Sequence, residues 1–177
     1  MPTHISLLRG VNVGGNRQIR MADLKALYES LGYSAVATYV QSGNVIFDAD
    51  SADAPALIAR IEAAIAQRFG FDVTVLLRSA DDLRRVLDNN PFPAAQAAQL
   101  HILFLSASPA PAAIAALNVP VADGEAWLLA GQEIYLHYPN GSGRSKMSGA
   151  FSERKLGVTA SARNWNTVNA LHDLARR

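Results

Sequence analysis

A chain of 177 residues, half of them hydrophobic and only 18% charged, has enough apolar content for a substantial core and does not read as disordered. It contains no cysteine, which excludes disulfides, thiolate metal sites and cysteine nucleophiles together. The net charge of +1 conceals an uneven distribution: residues 1–25 sum to +3, residues 26–138 to −7 and residues 139–177 to +5. Basic ends around an acidic middle suit a polyanion-binding face, and equally a chain whose opposite surfaces attract one another or keep it soluble. No apolar run approaches the roughly 18 residues of a membrane span, and no long apolar segment opens the chain. The reading is a soluble, cytoplasmic protein of bacterial type with no membrane partner, and the sequon Asn140-Gly141-Ser142 is then a turn.

The first apolar run predicts a strand over Ile5 to Arg9. It empties into Arg9-Gly10-Val11-Asn12-Val13-Gly14-Gly15-Asn16-Arg17-Gln18-Ile19-Arg20, a loop rich in glycine, asparagine and arginine. Glycine admits positive φ and close approach of a ligand to the backbone, and arginine offers a permanent positive fork. The combination suggests an anion site without naming the anion. A helix follows, with Met21, Leu24, Leu27, Tyr28 and Leu31 along one face and Gly32 at its end. Val36 to Val40 and Val45 to Phe47 read as a hairpin around Gln41-Ser42-Gly43-Asn44. That tip either presents amides to a base or sugar, or simply turns.

Asp53 and Pro55 open a second helix with Leu57, Ile58, Ile61, Ile65 and Phe69 inward and Gly70 as stop. Val73 to Leu77 is a fourth strand. A short helix from Ser79, with Asp82 at the capping-box position, runs into the proline-broken turn at Asn89-Asn90-Pro91-Phe92-Pro93.

The plan then repeats: a strand over His101 to Leu105, an alanine-rich helix from Ser108-Pro109 to before Pro120, and a hairpin of Trp127 to Leu129 and Glu133 to His137. A helix over Lys146 to Leu156, a short strand over Val158 to Ser161 and a last helix over Val168 to Arg176 complete it. The fold class is α+β: two ferredoxin-like βαββαβ halves in tandem with right-handed crossovers, a linking helix and an extra C-terminal helix. Residues 1–78 form the first lobe, 79–99 the linking helix and turn, and 100–177 the second lobe with the terminal helix, in one compact unit. Residue identity between the halves is poor, so the repeat is one of element order.

Two further stretches share the chemistry of the first loop. Tyr138-Pro139-Asn140-Gly141-Ser142-Gly143-Arg144-Ser145-Lys146 lacks the ending of a Walker loop and reads either as an anion loop or as a solvated connection. In Arg163-Asn164-Trp165-Asn166-Thr167 an asparagine caps the last helix, and the arginine and tryptophan in addition suit a phosphate or a base.

The run Leu7 to Asn16 with Met21 and Leu24, the stretch Thr38 to Val45, and Ala162-Arg163-Asn164-Trp165-Asn166-Thr167 together resemble bacterial domain-of-unknown-function family 1697. The resemblance spans essentially the whole chain. It implies a compact α+β fold and no activity.

Catalytic constellations are scarce. His4, His101, His137 and His172 form no metal-ligand spacing with one another or with a carboxylate, Asp81-Asp82 suits helix N-terminal charge, and no metal or cofactor is expected. Ser42, Ser145 and Ser148 lack an identifiable base, which argues against a serine hydrolase. Two classes remain. One is a binding module for nucleic acid or a phosphate-bearing ligand, using Arg9, Asn12, Asn16, Arg17, Arg20, Gln41, Ser42, Asn44, Arg144, Lys146, Arg163 and Asn164, with Tyr39 and Trp165 as stacking groups. The aromatic pattern of an RNA-recognition motif is missing. The other is an enzyme on a phosphorylated small molecule, with the same arginines as clamp and Ser42, Tyr39 or Glu153 handling protons. An interaction protein with purely structural loops is the third. The first two readings expect the three basic loops to converge around an ion or counter-charge, with Glu153 as internal neutraliser if none is found.

Overall fold

In the computed structural model, which describes residues 1–176, β1 (Thr3–Leu8), α1 (Met21–Ser30), β2 (Ser34–Tyr39), β3 (Asn44–Asp48), α2 (Ala54–Phe69), β4 (Val75–Ser79) and α3 (Ala80–Asp88) come first. They are followed by β5 (Leu100–Leu105), α4 (Pro111–Ala115), β6 (Ala126–Ala130), β7 (Glu133–His137), α5 (Glu153–Leu156), β8 (Ala160–Asn164) and α6 (Trp165–Ala175). The strands form two four-stranded sheets, ordered β2-β3-β1-β4 and β6-β7-β5-β8, with every neighbouring pair antiparallel. This is the split βαβ arrangement twice over. Contacts divide the chain into one unit of residues 1–85 with 169–177 and another of residues 86–168. No helix among the described residues is long and apolar enough to cross a membrane.

The helices of the first unit start and stop where their capping residues dictate. Asp53 accepts a hydrogen bond from the Ala56 amide at 3.2 Å, Pro55 occupies the first turn of α2, and Gly70 ends it in the left-handed region at φ 81°. Leu57, Ile61 and Ile65 then face the sheet and pack with Leu24 and Tyr28 of α1 against Leu8, Val45, Phe47 and Val75. Ser6 lies on this same face of β1, and its hydroxyl meets that of the fully buried Tyr28 at 2.7 Å. In the second unit Leu105, Ile134 and Leu136 pack with Met147, Phe151 and Leu156, and the Trp127 ring meets Phe151 edge-on at 5.0 Å.

Matching positions show the repeat in detail. Ile5 of β1 stands opposite Arg78, and Ile102 of β5 stands opposite Arg163. The Leu8 amide donates to the Gly43 carbonyl at 2.8 Å and the Leu105 amide to that of Gln132 at 2.8 Å. The next amides, of Arg9 and Ser106, reach Thr74 and Thr159. β4 ends on Ser79, whose hydroxyl and Asp82 form the expected capping box for α3, with contacts of 3.0 and 2.8 Å. β8 ends on Asn164, which caps α6 through the Thr167 amide at 2.8 Å. The linking helix and the C-terminal helix are therefore counterparts, and each half reads βαββαβα.

Several elements differ from their sequence-predicted bounds. β4 runs two residues and β8 three residues further than expected, because Ser79 and Asn164 still pair with His4 and His101 on the central strands. α6 begins at Trp165 rather than Val168. The alanine-rich helix shrinks to five residues: Ala110, ahead of Pro111, is held extended, and Ile114, Leu117 and Val119 pack against the core. The expected helix over Lys146 to Leu156 is two short pieces, a 3₁₀ turn at Ser148–Phe151 and α5. Ser152 lies between them in extended conformation and offers its hydroxyl to the Lys155 amide, which restarts the helix.

Loss of either cap, by Ser79→Ala or Asn164→Ala, is expected to cost about 1 kcal/mol in urea denaturation. A second expectation concerns pH. The His101 Nδ1 atom is buried with no hydrogen-bond partner among the described residues, and burial holds the imidazole below its ordinary pKa of 6.5. The unfolded chain therefore takes up a proton that the folded chain refuses, so this group's contribution is intact above pH 6.5 and is lost as the pH falls. Unfolding free energies from pH 8 to 5, compared between the wild type and His101→Phe, should show a steeper acid loss in the wild type.

Candidate functional site

The loop that follows β1 is a miniature hairpin. Val13 and Asn16 form a bridge across Gly14 and Gly15, whose φ values of 60° and 78° are both positive, a turn that a glycine pair makes at little cost. The Asn12 amide donates to the Arg17 carbonyl at 3.2 Å. Val11 and Ile19, at 1% and 3% exposure, anchor both stems in the core. Asn12, in the left-handed region at φ 57°, supplies the brace. Its Oδ1 accepts from the Ile19 amide at 2.8 Å, while its Nδ2 donates to the carbonyls of Ile19 at 3.0 Å and Gln41 at 2.8 Å.

That last bond ties the loop to the β2–β3 hairpin tip. The tip lies so close that a Cβ on Gly43 would stand 2.6 Å from Val11 Cγ2 and 2.7 Å from Leu8 Cβ, so only glycine fits. Asn44 is fully buried, its Nδ2 donating to the Tyr39 carbonyl at 2.9 Å and to Ser42 Oγ at 2.8 Å. These asparagines are wired into the backbone. The exposed polar side chains on the same frame are Asn16, Arg17, Gln18, Arg20 and Gln41, with Arg9, Tyr39 and Ser42 half-buried. Arg17 Nη1 folds back to 3.6 Å from the position of a Gly10 Cβ. Arg20 is the residue before α1 and gives no side-chain cap, and Asp23 places an acid in the first turn.

The remaining predicted residues belong to the other unit. Arg144 and Lys146 are exposed on a loop stitched by turns at Gly141 and Ser145 and anchored by fully buried Met147. Arg163 is buried at 7% exposure, and its Nη1 donates to Ser161 Oγ at 2.7 Å and the Ala162 carbonyl at 2.8 Å. Burial draws this guanidinium down to about 10, so it stays charged at neutral pH. Asn164 is the cap already described, and Trp165 is half-buried at the start of α6. Glu153 Oε1 accepts from the Ala160 amide at 3.2 Å and borders an open pocket of about 640 Å³ with Ser106, Arg154 and Thr159. Among the described residues no group of three or more His, Cys, Asp or Glu is placed to hold a metal ion.

Sequence reasoning passed over Arg78. It is buried to the same degree as Arg163, and its Nη1 likewise donates to the carbonyl of the preceding residue, Leu77, at 2.9 Å. The signal was present as Arg-Ser and Arg-Asn, an arginine directly before a helix cap at the end of each half's last strand.

Fold and loops together define a duplicated ferredoxin-like α+β protein with a braced basic loop at the end of its first central strand. The chain belongs to the family described as "Protein of unknown function (DUF1697)", which matches residues 1–135. Among solved structures it is similar to a conserved bacterial protein, SP0830 from Streptococcus pneumoniae, at 23% identity over 98% of each chain with a TM-score of 0.75, a likeness of fold. No curated protein matches it.

Asn12→Ala removes three hydrogen bonds and leaves an alanine in the left-handed region, for an expected loss of about 2–4 kcal/mol in chemical denaturation. Asn12→Gly restores the backbone freedom alone and should recover up to about 1 kcal/mol of that. Equal stability of the alanine variant and the wild type would mean that the brace contributes nothing.

Proposed function

We propose that this protein is a binding module for phosphate groups, carried by a nucleic acid or by a phosphorylated small molecule, and that the loop of residues 9–20 with the tip at residues 40–43 receives them. Arg9, Arg17 and Arg20 supply the charge, and the exposed amides of Asn16 and Gln41 supply neutral donors. The observation that supports this reading is the Asn12 brace, which closes the basic loop on Ile19 by two hydrogen bonds of 2.8 and 3.0 Å and ties it to the hairpin tip by a third, to the Gln41 carbonyl at 2.8 Å. A frame ordered before binding spares the ligand the cost of ordering it. Arginine rather than lysine at all three positions suits the planar, bidentate geometry of phosphate oxygens.

The test is binding of single-stranded oligonucleotides by fluorescence anisotropy, alongside a thermal-shift screen of phosphorylated small molecules. Three phosphates neutralised on a single strand give a slope of about −2 in log affinity against log salt. Arg17→Gln or Arg20→Gln should each weaken binding by about 1–3 kcal/mol and make the slope shallower by about one contact. A small-molecule hit without oligonucleotide binding identifies the source of the phosphate. Silence in both arms at low salt, or affinity that survives loss of Arg9, Arg17 and Arg20 together, defeats the reading.

A further inference from the structure

Two sheets have four edge strands, and an edge strand presents unpaired backbone groups unless something blunts it. β2 is blunted by an irregularity: its register against β3 slips between Ser34 and Ala37, and Ala35 sits at φ 50°. β4 and β8 carry the buried arginines Arg78 and Arg163, and inward-placed charge on an edge disfavours pairing with a further chain. β6 has no such device. It is terminal in its sheet, pairs with β7 alone in an unbroken register from Ala126–His137 to Ala130–Glu133, and reads Ala-Trp-Leu-Leu-Ala without charge, proline or bulge. Leu128 at its centre is 45% exposed.

The hydrogen-bonding groups on this edge follow from the turn. Only Gly131 and Gln132 join β6 to β7, so the closing pair Ala130–Glu133 is a hydrogen-bonded one. Alternation then engages Leu128 and Ala126 with β7 and leaves the N–H and C=O groups of Trp127 and Leu129 directed outward. β6 is also close to a palindrome about Leu128. Paired antiparallel with itself, it sets Ala126 against Ala130, Trp127 against Leu129, and Leu128 against Leu128. The Trp127–Leu129 pairs, occurring twice by symmetry, are the ones whose free groups face each other. Leu128 falls at the close, non-hydrogen-bonded position on the two-fold axis, where its exposed side chain covers its own copy.

We infer that the outer edge of β6 is a self-association surface whose partner is β6 of a second copy of this chain, joined antiparallel and centred on Leu128. Self-complementarity is the requirement of a two-fold interface, and β6 meets it in side-chain size, in absence of like charge and in hydrogen-bond phase. The five-residue ladder makes a contact at the small end of the interface range, so the dimer is in exchange with monomer. This inference is independent of the proposed phosphate site.

Sedimentation velocity over a concentration series should show reversible dimerisation of the wild type. Leu128→Lys places two ammonium groups face to face on the axis and should weaken it by at least about tenfold. Circular dichroism confirms that the variant, altered at an exposed position, is folded. Cross-linking gives an independent arm, since the chain contains no cysteine. Leu128→Cys puts two thiols on the axis within disulfide reach, whereas in the same register Ala130→Cys faces Ala126 of the other copy. Mild oxidation should therefore yield covalent dimer from the first variant much faster than from the second. Equal cross-linking rates, or dimerisation untouched by Leu128→Lys, overturn the inference. A monomeric wild type with equal rates would hand this edge to an extended peptide of another protein.

Discussion

The central strand of each sheet is covered on both faces, and the rest of the molecule answers to that constraint. Ile5 and Leu7 on one face and Ser6 and Leu8 on the other are all inaccessible to solvent, as are Ile102, Phe104 and Leu105 of the second half. A polar group placed there, or on the strands alongside, loses water and needs a partner within the fold. Ser6 takes the Tyr28 hydroxyl, Asn44 takes the Tyr39 carbonyl and Ser42, and Arg163 takes Ser161 with a backbone carbonyl. The polar chemistry of the two sheets is thus committed to holding strands and helices in register. What is left for a ligand sits at the strand ends, where the chain leaves the covered region.

That division explains how much of the protein was legible in its sequence. Periodicity of apolar residues placed the strands and the longer helices, because a half-covered helix such as α2 must repeat its apolar face. It failed where local polarity misled. Arg78-Ser79 and Arg163-Asn164 look like loop residues, yet both pairs complete strands, since the cap of each following helix is also the last rung of the sheet. It failed again in the alanine-rich segment, where helix propensity is ample but little apolar surface anchors a longer helix, and around Ser152, where an extended backbone and a side-chain cap break and restart the helix.

The loops were visible as unusual, but their internal division of labour was not. Asparagine suits a ligand and a backbone brace equally well, and nothing in one sequence distinguishes the two. The structure places Asn12, Asn44 and Asn164 in bracing or capping roles and leaves Asn16, Arg17, Arg20 and Gln41 exposed. Beside a tryptophan in the sequence, Arg163 suits a phosphate or a base. Its alternation in β8 instead puts it on the same face as Ser161, inside the protein.

One feature of the division into units bears on synthesis. The first unit is discontinuous: residues 1–85 are completed by the segment from Asn169 onward, whereas residues 86–168 are contiguous. A ribosome delivers the whole of the contiguous unit before the piece that closes the earlier one. The buried positions of Leu171 and Ala175 in that unit are thus filled last, although its strands emerged first. The nascent chain therefore holds every residue of its second unit before it holds the segment that completes its first.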